Sequence, residues 1–92
     1  MQTALPPSLP VVAQVIGSTE QFAGEIEGNT IRIESNRGSV CRGRVDVGDM
    51  GYGSANVRCS DGRFGNFSVD IKGRFGSAYG RLGSSDVKIT IG

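Results

Sequence analysis

Turn-forming residues punctuate this chain at roughly 8–12-residue intervals, and most of the stretches between them alternate apolar and polar side chains. Gly28-Asn29, Ser35-Asn36-Arg37-Gly38, Gly48–Gly53, Asp61-Gly62, Gly73 and Gly83–Asp86 are the clearest turns. Between them, Ile31 and Ile33 alternate with Thr30, Arg32 and Glu34. Cys41, Gly43, Val45 and Val47 alternate with Arg42, Arg44 and Asp46. Ala55, Val57 and Cys59 follow, then Phe67, Val69 and Ile71, and finally Val87, Ile89 and Ile91. A period of two places one set of side chains on a buried face and the other in water, which is the pattern of a strand and not of a helix.

The aliphatic residues support the same reading. Ile and Val are plentiful, while leucine occurs only at Leu5, Leu9 and Leu82. β-Branched side chains are stiff at χ1 and suit a pleated surface. The chain also carries 15 glycines, each of which costs roughly 1 kcal/mol in a helix interior. The expected fold is all-β, with about eight short antiparallel strands in a meander. One wet face per strand favours a small barrel or sandwich over a flat sheet. Val45-Asp46-Val47 followed by Gly53-Ser54-Ala55 echoes Val69-Asp70-Ile71 followed by Gly76-Ser77-Ala78, a hairpin-long repeat.

At 92 residues the chain is one domain with a thin core. Residues 11–92 form the expected domain. Residues 1–10, with Pro6, Pro7 and Pro10, read as a flexible tail, disordered or extended, that either tethers the domain or is an untied terminus. No apolar run approaches the ~20 residues of a membrane span, and residues 1–10 lack the basic start and apolar stretch of a signal peptide.

Cys41 and Cys59 both fall on the inward row of their strands and are equidistant from Met50 in the intervening turn. If the two strands form a hairpin, these residues oppose each other within disulfide range. A structural disulfide is the expected state, with buried thiols as the alternative. The spacing is not that of a redox Cys-x-x-Cys pair, and no further thiol or imidazole exists to complete a tetrahedral metal site. A disulfide points to an oxidising compartment.

The chain has no histidine, which removes the usual acid/base near neutral pH together with the commonest metal ligand. Asp46, Asp49, Asp61, Asp70 and Glu34 show no spacing that marks a catalytic carboxylate pair or a calcium loop, so neither catalysis, metal nor cofactor is expected. Net charge is +1, yet nine of the ten basic residues follow residue 35. Arg42, Arg44, Arg58 and Arg63 are the candidate contact face, set against the plainer reading of a solvated mixed surface. Arg63-Phe64-Gly65 and Arg74-Phe75-Gly76 are twin triplets that suggest base stacking by Phe64 and Phe75 on a nucleic-acid-binding barrel.

Cys41-Arg42-Gly43, Gly51-Tyr52-Gly53, Cys59-Ser60-Asp61-Gly62-Arg63, Gly80-Arg81-Leu82-Gly83 and the closing Ile89-Thr90-Ile91-Gly92 together form a pattern. It resembles small glycine-rich domains of exported or lipid-anchored bacterial proteins that have no assigned activity. The glycine spacing at Gly43, Gly48, Gly51 and Gly53 is also similar to MORN-type hairpin repeats, although Cys41 stands where such a repeat opens with an aromatic. The first resemblance implies a periplasmic or envelope location, with an export signal or lipid anchor upstream and the Pro-containing start as a tether. The expected function is binding or scaffolding at the envelope, against another envelope protein or an anionic surface. The alternative is a cytoplasmic nucleic-acid-binding barrel.

Overall fold

In the computed structural model, which describes residues 8–92, eight strands follow one another in sequence order. They are β1 (Leu9–Val15), β2 (Gln21–Glu27), β3 (Thr30–Ser35), β4 (Val40–Val47), β5 (Tyr52–Cys59), β6 (Phe64–Lys72), β7 (Phe75–Leu82) and β8 (Ser85–Ile91). Every neighbouring pair is antiparallel, and β1 pairs with β8 to close the sheet into a barrel. The closing register runs from Val11 opposite Ile91 to Val15 opposite Val87. Among the described residues, closure leaves no strand edge for pairing with a second chain. None of the described residues is helical.

Each of the seven turns contains one glycine with positive φ, from Gly17 to Gly83. The β2–β3 turn is Gly28-Asn29, and only Gly28 has positive φ. This is the sign pattern of a type II′ hairpin, in which the first central residue alone needs the left-handed half of φ space. The β5–β6 turn is of the other kind. The Gly62 amide donates to the Cys59 carbonyl at 2.9 Å and the Cys59 amide to the Arg63 carbonyl at 2.9 Å. Gly62, at φ 94°, completes a three-residue loop that brings Arg63 back over the barrel end.

The inward rows fill the barrel with apolar side chains. Phe22, Ile31, Ile33, Leu82, Ile89, Val11, Val57 and Cys41 are the largest fully buried ones. This is a packed core with polar side chains outside, the reverse of the apolar-out alternation of a membrane-spanning barrel. Inward glycines let the strands curl tightly. A Cβ on Gly43 would overlap the carbonyl oxygen of Asn56 on β5, so that close approach of β4 and β5 requires glycine.

Two boundaries differ from the sequence reading. β1 begins at Leu9, so Leu9 and Pro10 belong to the barrel; the rest of the expected tail, apart from Ser8, lies outside the described residues. Pro10 is tolerated because its carbonyl accepts from Gly92 at the end of the β1–β8 ladder, where a missing donor breaks no interior rung. Val47 keeps the inward parity of β4, but it lies at the barrel rim and is 39% exposed.

Cys41 and Cys59 face each other in the β4–β5 register and are joined by a disulfide, with Cα atoms 3.9 Å apart. The Cys59 backbone bonds to Arg63 on its β6 side. The cysteines therefore occupy a non-hydrogen-bonded pair, the closer of the two cross-strand geometries. The bridge lies inside the core.

Candidate anion-binding face

The β3–β4–β5 register aligns arginines that are far apart in sequence. Arg32 on β3 stands opposite Arg42 on β4, which stands opposite Arg58 on β5, which stands opposite Phe64 on β6. All four side chains point outward into solvent. Arg44 lies one outward step along β4, between Thr30 and Asn56. Like charges placed directly across a strand pair are destabilising, by a few tenths of a kcal/mol to about 1 kcal/mol each.

The row is only partly neutralised. Arg32 donates to Glu34 on its own strand at 3.2 Å, with both side chains about half exposed. Arg58 lies over the Phe64 ring with its guanidinium carbon 4.9 Å from the centroid. Among the described residues, Arg42 and Arg44 make no ion pair. The result is a cationic strip of exposed guanidinium groups on the outer face of β3–β5, and the forked donors of arginine suit phosphate or carboxylate groups.

Arg63, grouped with this face on sequence, leaves it. Its guanidinium folds over the barrel end and grips Glu20 with two parallel bonds, Nη1 to Oε1 at 2.8 Å and Nη2 to Oε2 at 2.9 Å. Nε donates to Asp61 Oδ2 at 2.8 Å. The guanidinium also lies 5.7 Å from the centroid of the Phe22 ring in the core. The Asp61-Gly62 turn is the physical reason. Asp61 Oδ1 accepts from the Arg63 backbone amide at 3.0 Å, which fixes the direction in which the side chain leaves.

Glu20 is buried and also accepts from the Ser35 hydroxyl at 2.6 Å. The Arg63 bonds, helped by Ser35, hold its carboxyl below the usual carboxylate range against the opposing effect of burial. Asp61 is held far below its usual range by Arg63 and by the Ser39 hydroxyl, and Arg63 is raised in turn. Three hairpin turns are thus tied by one charged plug, which closes the core at this end. The plug is a structural device in which the Arg63 guanidinium serves both carboxylates.

Sequence reasoning named Arg42, Arg44 and Arg58 but missed Arg32 and Glu20. Arg32 was legible from the Ser35–Gly38 turn, which sets it opposite Arg42. Nothing local marked Glu20, because its partner is 43 residues away. The paired use of Phe64 and Phe75 does not hold. Phe64 opens β6 at the plug end, whereas Phe75 opens β7 beside the β6–β7 turn at the opposite end. Both are exposed, but they share no platform.

No family model, curated protein or solved structure matches this chain.

Proposed function

We propose that this domain is a non-catalytic binding or scaffolding module of the bacterial envelope, which docks an anionic partner through Arg42, Arg44 and Arg58 with Arg32 alongside. The observation that carries the reading is the cross-strand stack of Arg32, Arg42 and Arg58, which costs stability in the isolated domain. Arg42 and Arg44, which have no ion pair among the described residues, gain their favourable interaction from something outside the chain. The disulfide supports an oxidising compartment, and the resemblance to glycine-rich exported domains agrees with it. A rigid barrel loses little conformational entropy on docking, so even a few charge contacts give usable affinity.

Arginines near an anionic membrane surface contribute about 1 kcal/mol each. The test is binding to vesicles containing phosphatidylglycerol, at low and at physiological salt. The native chain binds and releases as salt rises. The variant R42S/R44S/R58S loses on the order of 100-fold in affinity while keeping its thermal melt. Equal binding by native chain and variant overturns the assignment of this face.

A second reading rests on Arg58 over Phe64, a cation beside an exposed ring, which is the unit used to stack single-stranded bases. A single-stranded oligonucleotide in the same titration separates the two. Tighter binding to the oligonucleotide than to vesicles, lost in Phe64→Ala, favours nucleic acid.

A further inference from the structure

The opposite side of the barrel carries a groove of about 780 Å³ across the outer face of β6, β7 and β8. That volume lies within the range of small-ligand sites. The register sets its composition. On β6, Ser68 and Asp70 face outward; Asp70 stands opposite Tyr52 on β5 and Ser77 on β7, and Ser68 stands opposite Tyr79 on β7. Tyr52 and Tyr79 are 58% and 66% exposed at the groove's margins; Lys72 covers one face of the Tyr52 ring, and Tyr79 stands opposite Lys88 on β8. The two tyrosines rise from strands two apart and are offset by two residues along them, so their Cα atoms lie roughly 12 Å apart by sheet geometry.

The floor has a second unusual feature. Asp70 is half-buried, and its Oδ1 is shielded from water without a hydrogen-bond donor among the described residues. A carboxylate oxygen in that state is costly, and turning the Asp70 side chain outward to meet a donor on a ligand recovers the cost. Serine hydroxyls at Ser68 and Ser77 flank it and can both donate and accept. Of the nearby cations, Lys72 lies over the Tyr52 ring at 5.6 Å and Arg81 pairs with Asp86 at 3.4 Å, while Lys88 lines the groove opposite Tyr79 with no ion pair among the described residues. The groove therefore combines aromatic rings, a carboxylate, neutral hydroxyls and an unpaired lysine donor.

We infer that this groove is a saccharide-binding site, with Tyr52 and Tyr79 taking the C–H faces of sugar rings and Asp70 accepting from a sugar hydroxyl or amide. A sugar ring offers an apolar face together with a fan of hydroxyl donors and acceptors, which matches aromatic rings set beside a carboxylate, serine hydroxyls and Lys88. The inference goes beyond the arginine face and is carried by different residues on different strands.

The experiment titrates the intact chain with chitotetraose and, separately, with maltotetraose, followed by amide chemical shifts and calorimetry. The expected result is binding of at least one of them, with shifts centred on β6–β8. Tyr79→Ala, Tyr52→Ala and Asp70→Asn each weaken it by 10-fold or more, with the native melt retained. R42S/R44S/R58S binds the saccharide as the native chain does, which keeps this result separable from the fate of the anion-binding face. Absence of binding to either oligosaccharide overturns the inference. So does binding that survives all three groove substitutions, or capture of tetralysine by the groove in place of the sugars.

Discussion

Arg63 and Glu20, 43 residues apart in sequence, meet over one end of the barrel through two parallel hydrogen bonds of 2.8 and 2.9 Å. Glu20 alone would be a buried charge, and Arg63 alone would be one more surface cation. Together they close the core beneath them and tie the β1–β2 turn to the β5–β6 turn. Ser35 brings in the β3–β4 turn through its 2.6 Å bond to Glu20.

Removing one partner of this pair is therefore more damaging than its surface location suggests. Arg63→Ala strands the Glu20 carboxylate in the barrel end and is expected to cost about 3 kcal/mol. For a domain of this size that lowers the melting temperature by roughly 10–20 °C. The double variant Glu20→Gln with Arg63→Leu recovers part of the loss, because no unpaired charge remains. Thermal melts of the three proteins at neutral pH check this.

Acid has the same target. The folded state holds Glu20 below its ordinary value of 4.5, so the folded protein binds fewer protons than the unfolded chain in that range. The stabilisation is complete above about pH 4.5 and is lost as pH falls through the lower folded-state value. Asp61 adds with the same sign. Melting temperature is expected to be flat between pH 7 and 5 and to drop below pH 4.5. In Glu20→Gln that acid limb is shallower, which a pH series of melts reads directly.

The disulfide is the second clamp. Cys41 and Cys59 are 18 residues apart, and closing a loop of that size contributes about 3 kcal/mol, chiefly by restricting the unfolded chain. Cys41→Ala with Cys59→Ala also removes buried volume, so the loss is at least this large. Chemical denaturation of the oxidised and reduced native chain isolates the bridge itself. A midpoint shift equivalent to about 3 kcal/mol is expected.

Gly43→Ala tests the tight curl of β4. The added Cβ meets the Asn56 carbonyl, and backbone cannot yield as a flexible side chain can. The expected cost is about 1–3 kcal/mol, with the disulfide still formed. A melt indistinguishable from the native chain would show that β4 and β5 have room to separate.

The strand pattern was legible because it is local. Ile31 and Ile33 alternate with Thr30, Arg32 and Glu34, and a glycine marks every turn. Cys41 opposite Cys59 followed from the same hairpin logic. Closure of β1 on β8 was not legible, since no turn joins them and the alternation of Val11 to Val15 is masked by exposed Val12 and Ile16. The arginine face was half legible. Arg42, Arg44 and Arg58 have outward parity, but parity says nothing about Arg63, whose direction is set by Asp61 and whose destination is set by Glu20. The Tyr52–Asp70–Tyr79 groove depends on three strands coming together, and so it appears only in the folded barrel.

Mapping amide chemical shifts of the native chain against phosphatidylglycerol nanodiscs tests the central claim most directly. Shifts concentrated at Arg32, Arg42, Arg44, Arg58 and Phe64, fading as salt rises and absent in R42S/R44S/R58S, are the predicted result. Shifts elsewhere on the barrel, or none at low salt, would contradict the assignment of β3–β5 as the face that meets the partner.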